Sequence, residues 1–292
     1  QILEIDKFTL LFLEKISNLT VCIDNETTVF KRESDQSVVV ISEDDKGFCF
    51  DTFRKTGKIG EKNYEIVIAY DDSIVAEDNK LYSYFQTNID FPIKWKCHAT
   101  FDLNSNRNGI KKSDENLQLL SILATFICDT ATTMDLHGKY DIFDSLIKVS
   151  EFPAGLNIKS INFNDIYKEK FENAKVLPTF SGGKISLIET PVFYSKPPFF
   201  FCDLENSKII IESIDTTRNQ VIEKYSVKFD DDSLSKIISE YAKDWEVSQR
   251  VSVFLWWERE FPNSETLPEL LFDSNDIYIS ANTVVYFVRG RN

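Results

Sequence analysis

The stretch IKWKCHATFDL, residues 93 to 103, constrains the fold more than any other part of the chain. Ile93, Trp95, Cys97, Ala99, Phe101 and Leu103 alternate with Lys94, Lys96, His98, Thr100 and Asp102. A strict period of two places successive side chains on opposite faces of a strand. The spacing therefore predicts one buried face, one polar face and a sheet for the strand to join. The run ends in NSNRNG (104–109), whose asparagines and glycine mark a turn. Ser113 then reads as a helix N-cap, with Asp114 and Glu115 in the first turn, where the helix dipole favours acids. Leu119, Leu120, Leu123, Phe126 and Ile127 form an apolar stripe at helical spacing. Strand, polar loop and helix thus meet around Arg107.

Upstream, residues 6–17 read as a short amphipathic helix. Strand-like runs follow at 18–24, 27–33, 37–42, 48–57 and 63–70, separated by turn-forming Asp, Asn, Gly and Ser. Downstream, 113–174 is mostly helical in pattern, with breaks at Gly138 and near Pro153–Gly155. Residues 176–189 read as a hairpin around Ser181–Gly183, and 208–214 as a strand. Two helices are expected next, one carrying Leu234, Ile237, Ile238, Tyr241 and Trp245 on one stripe, the other over 247–260. Short strands are expected at the end. The reading is α+β: a sheet-bearing domain over 1–135, then a mixed helical and short-strand domain over 136–292.

A chain of 292 residues with 42% hydrophobic content has ample core. Its net charge of −14 argues against nucleic acid and anionic membrane surfaces as partners, because both require clustered Lys and Arg. The five cysteines form no CxxC pair and are expected to be reduced and mostly buried, as in a cytoplasmic protein. No apolar run is long enough to span a membrane. The chain begins with Gln1 and its start does not read as a signal peptide, so it is expected to be a segment of a longer polypeptide or a processed product.

Several constellations are weighed and set aside. Ser181-Gly182-Gly183-Lys184 lacks the upstream glycine and the following Ser or Thr of a phosphate-binding P-loop, and reads as a turn. The two histidines, His98 and His137, form no metal motif, and adjacent Cys97 and His98 point to opposite faces of a strand. Asp230-Asp231-Asp232 precedes a helix, where acids need no cation to explain them. An independent metal-assisted hydrolase built on those three acids is the remote alternative. Trp256-Trp257 reads as core. No GxSxG nucleophile elbow is present.

Arg107 remains. It stands where a strand hands over to a helix, among Asn104, Asn106, Asn108 and Gly109, which tolerate unusual backbone angles. Its guanidinium suits a bidentate grip on phosphate.

The stretch LYSYFQTNIDFPIKWKCHATFDLNSNRNGI (81–110), with SDEN at 113–116, resembles the middle domain of heat-shock chaperones of the GHKL ATPase superfamily. There a strand, a Leu-Asn-x-Ser-Arg-Glu type of loop and a helix occur in that order. The match is closer to bacterial proteins with sacsin-like, chaperone-type ATPase modules. It is specific over 81–120 and looser over 1–80 and 121–292, where 176–189 and 254–271 also look similar.

The resemblance implies a transducer domain of βαβ type, a sheet with helices on one face that converts nucleotide state into domain movement. It implies that Arg107, supported by Asn104, Asn106, Asn108 and Gly109, reaches the γ-phosphate of ATP held by the preceding domain, as an arginine finger supplied in cis. The chain departs from the pattern at Asn108, where the family has Glu. It also lacks the superfamily's DxGxG turn. No cofactor site and no metal site are therefore expected within it, and no activity alone. ATP and Mg would belong to the parent ATPase, the upstream nucleotide-binding domain would be the first partner, and protein clients would follow. The competing expectation is a non-catalytic interaction or scaffold module, whose acidic and aromatic surface serves protein partners.

Overall fold

The computed structural model describes residues 5–24, 26–44, 46–71, 74, 79–134, 146, 154–156, 162–179, 182–193, 208, 210 and 216–270. The α+β class is borne out: an eight-stranded, mostly antiparallel sheet with helices packed against it.

The first five strands form a meander: β1 (Asn18–Ile23), β2 (Glu26–Asp35), β3 (Val38–Glu43), β4 (Lys46–Ile59) and β5 (Lys62–Tyr70). Ile23 pairs with Glu26, Asp35 with Val38, Glu43 with Lys46 and Ile59 with Lys62, so every connection is a two-residue turn. Each turn opens with a positive-φ residue: Asp24, Gln36, Asp44 and Gly60. That sign matches the right-handed twist of the flanking strands. The predicted runs thus become long hairpins.

The remaining strands are β6 (Lys80–Ser83), β7 (Phe85–Asp90) and β8 (Lys96–Ala99). The sheet order is β1-β2-β3-β4-β5-β8-β6-β7. β8 inserts between β5 and β6, antiparallel to the first and parallel to the second. The β6–β7–β8 hook uses no crossover helix, so the connectivity here differs from a βαβ unit.

One sheet face packs on α2 (Asp114–Thr133) and α3 (Phe163–Asn173), with Trp95, Cys97, Leu120, Leu123, Ile127 and Phe163 fully buried or nearly so. The other face is covered by α1 (Lys7–Leu11) and the residues after it. This corrects two sequence expectations. The helix over 6–17 is only five residues long, capped by Asp6 and Thr9, because Leu10, Leu11 and Phe12 are buried in succession and the chain lies down on the sheet. The expected polar face of the 93–103 run is also covered at its centre, at Lys96 and His98, and only Asp102 at its end is exposed. The strand proper is Lys96–Ala99, His98 is 0% exposed under Phe12, and the Lys96 ammonium sits 4.2 Å from the Phe8 ring centre. Helices on both sides bury the strand twice over, which a period-two pattern with polar alternates does not announce.

Ser113 caps α2 as expected, accepting from the Asn116 amide at 3.1 Å. The hairpin in 176–189 forms from Leu177–Pro178 and Lys184–Ile185. Helices follow at Thr216–Glu223, Asp231–Tyr241 and Val247–Glu260. The last two enclose a separate apolar cluster around Leu234, Ile238, Trp256 and Trp257. Of the strand expected at 208–214, only residues 208 and 210 are described; Ile210 makes an isolated bridge to Thr179. The strands expected beyond 270, the breaks at Gly138 and Pro153, His137, Ser181 and Cys202 lie outside the described residues. No described helix is long and apolar enough to cross a membrane.

Candidate functional site

The loop 104–109 closes a miniature hairpin. Leu103 bridges Ile110 antiparallel, the Asn104 amide donates to Gly109 O at 2.9 Å, and the Lys111 amide donates to Asp102 O at 2.8 Å. Within it the Arg107 amide donates to Asn104 O at 2.9 Å, and Asn106 Oδ1 accepts from the Asn108 amide at 3.1 Å. Asn108 Oδ1 accepts from Asn88 Nδ2 at 2.7 Å, and the Asn88 amide donates to Arg107 O at 3.2 Å. The loop is therefore bound along the edge strand β7.

The structure alters the expected division of labour. The left-handed residue is Arg107 itself, with φ +56°, and not one of the asparagines or Gly109. A side-chain-bearing residue in that region costs about 1–2 kcal/mol. At Gly109 a Cβ would lie 3.0 Å from Asn104 Nδ2, the end of an exposed side chain that can move aside. Gly155 backs the loop, its carbonyl accepting from the Ile110 amide at 3.3 Å. A Cβ on Gly155 would stand 2.9 Å from Asn108 O.

Arg107 is half-buried, and Nη2 donates to Ser83 O at 3.1 Å and Phe85 O at 2.9 Å. Those carbonyls flank Tyr84, whose φ of +61° makes the one-residue β6–β7 turn. Nη1 has no hydrogen-bond partner among the described residues, and Nε is buried without one. Among the described residues no carboxylate pairs with the guanidinium, and burial pushes its pKa down. Beside it opens a cleft of about 510 Å³, lined by Ser83, Tyr84, Asn104, Ser105, Arg107 and Lys111, among others. Asp102 also lines the cleft, but its carboxylate is taken by Lys62 Nζ at 2.9 Å.

Sequence reasoning missed the residues that hold this geometry. Asn116 is 3% exposed; Oδ1 accepts from the Asp102 amide at 3.1 Å, while Nδ2 donates to Asp102 O and Lys111 O, both at 2.9 Å. One side chain thereby ties strand, loop and helix. An asparagine in line with the apolar stripe of α2, one turn before Leu119, Leu120 and Leu123, is the available signal, since a buried amide is tolerated only when bonded. Asn88 and the Ser83–Phe85 carbonyls leave no sequence signature.

The acidic run, Lys184 and the tryptophan pair stay apart from the cleft. Asp230 caps its helix, accepting from the Ser233 amide and hydroxyl, each at 2.8 Å. Lys184 donates to the Thr132 carbonyl at 2.9 Å and to Met134 O, capping the C-terminus of α2. Trp256 and Trp257 are core. Among the described residues no group of His, Cys, Asp and Glu could hold a metal ion. No protein-family model, curated protein or solved structure matches the chain.

Proposed function

We propose that the chain is the coupling segment of a larger, cytoplasmic, chaperone-type ATPase, and that the Arg107 cleft receives an anionic group, the terminal phosphate of a nucleotide held by another domain. One observation carries the reading. In a chain of net charge −14, Arg107 is held in a strained backbone conformation with one nitrogen anchored on two carbonyls, and among the described residues it has no carboxylate partner and Nη1 has no acceptor. Strain retained by a network of bonds is the mark of a positioned group. A cation placed in advance stabilises developing phosphoryl charge without reorganising. Lys111, on the same cleft, adds a second positive charge. ATP and Mg are then cofactors of the whole protein, and this segment supplies the sensor.

The test is ATP hydrolysis by the full-length protein carrying Arg107→Lys. The charge survives, but the fork that spans two carbonyls and a phosphate does not. A fall of about 10³-fold is expected for loss of an arginine finger. Unchanged hydrolysis together with lost partner capture would instead identify an interaction module.

A further inference from the structure

The two edges of the sheet are built differently. At β7 the Arg107 loop occupies part of the edge, the Asn88 amide donating to Arg107 O. At β1 the sequence NLTVCI carries no charge and no proline, the devices that usually blunt an edge strand. The two-residue turn makes Ile23 and Glu26 a hydrogen-bonded pair, and the Arg32 amide donating to Ser17 O at 2.8 Å continues the same phase. Alternation then turns the amides and carbonyls of Asn18, Thr20 and Cys22 away from β2. Among the described residues nothing hydrogen-bonds those backbone groups.

We propose that β1 pairs antiparallel with β1 of a second copy of this chain, across a two-fold axis at Thr20, joining two sheets into one. The strand is self-complementary in that register. Asn18 and the partner's Cys22, and Thr20 and the partner's Thr20, become hydrogen-bonded pairs through the outward groups. Leu19 falls opposite the partner's Val21. Both Leu19 and Val21 are half-buried against the core under α1, and apolar cross-strand pairs of this kind stabilise a sheet. Charge selects the occupant. A net charge of −14 per copy opposes approach over most of the surface. The uncharged strand avoids that repulsion, and antiparallel pairing brings exposed Lys15, which has no carboxylate partner among the described residues, toward the partner's acidic Asp24 and Glu26.

The test is the mass of the intact chain by sedimentation equilibrium over a range of concentrations. The wild type is expected to approach twice its 33.8 kDa chain mass. Thr20→Lys places like charges face to face on the axis and is expected to halve the measured mass with an unchanged circular dichroism spectrum, since the Thr20 side chain is exposed. A second variant reads the register directly. Hydrogen-bonded antiparallel pairs hold Cα atoms about 5.5 Å apart, within disulfide range. Thr20→Cys in a Cys22→Ser background is therefore expected to cross-link to dimer on mild oxidation. A wild type that remains monomeric, or a dimer indifferent to Thr20→Lys, overturns the proposal.

Discussion

His98 Nδ1 accepts the backbone amide of Tyr84 at 2.9 Å. The left-handed β6–β7 turn is thus bonded from two sides, its amide held by a histidine under α1 and its flanking carbonyls by Arg107. The Tyr84 ring, 43% exposed, packs on the His98 ring at 4.8 Å and lines the cleft. A strained turn of one residue therefore connects the core beneath α1 to the candidate site.

That arrangement makes stability depend on pH. With Nδ1 accepting, neutral His98 carries its proton on Nε2, 3.9 Å from Glu65 Oε2 and without a hydrogen-bond partner among the described residues. Burial, and then the Arg54 charge, push the His98 pKa down to about 3. Glu65 offsets little of this because it is bound to Arg54. A folded pKa below the unfolded one means that the stabilisation is fully present above pH about 6.5 and is lost as pH falls toward about 3. The full loss is about 5 kcal/mol, of which about 2 kcal/mol is gone by pH about 5. Urea midpoints across that range should show the slope in the wild type. They should not show it in His98→Leu, beyond what the carboxylates contribute to both proteins.

Asn116 joins three elements through one amide group. Asn116→Ala leaves the Asp102 amide and the Lys111 carbonyl without this partner, while Asp102 O keeps the Lys111 amide, and is expected to lower stability by about 2 kcal/mol. Ser113→Ala removes only the cap and is expected to lower it by about 1 kcal/mol. Chemical denaturation of the two variants should separate these losses.

Gly155→Ala tests whether the loop is held from behind. The added Cβ would meet the Asn108 carbonyl at 2.9 Å, a backbone atom that cannot rotate away. Displacing it should loosen the bond from the Asn88 amide to Arg107 O. Faster hydrogen exchange at Asn88, with a stability loss of about 1–2 kcal/mol, is the expected outcome.

The legible parts of this protein are those whose signals are local. Alternation and turn residues located β1 to β5, and Ser113 with its acids located α2, because hairpins and caps are settled by neighbours in sequence. The burial of Lys96 and His98 was illegible. It depends on α1 arriving from about ninety residues away, and polar alternates ordinarily mean a solvated face. Arg107 could be singled out by its position, but not its anchorage, since backbone carbonyls such as Ser83 O and Phe85 O have no residue identity to read.

The thiols give a further test, and one where the structure departs from expectation. Among the described cysteines Cys22 and Cys49 are exposed, whereas Cys97 and Cys128 are buried, and all four are free. Cys22 and Cys49 lie on the meander, where one face of the strands is solvated, while Cys97 and Cys128 face the core between sheet and α2. Burial pushes the Cys128 thiol up to about 12 and Cys97 higher still, so neither supplies thiolate near neutral pH. Mass-spectrometric mapping after brief alkylation should find label on Cys22 and Cys49 at once, and on Cys97 and Cys128 only after unfolding. Pairing through β1 adds a second signature: labelling of Cys22 should slow as protein concentration rises, while that of Cys49, on an interior strand, should not change.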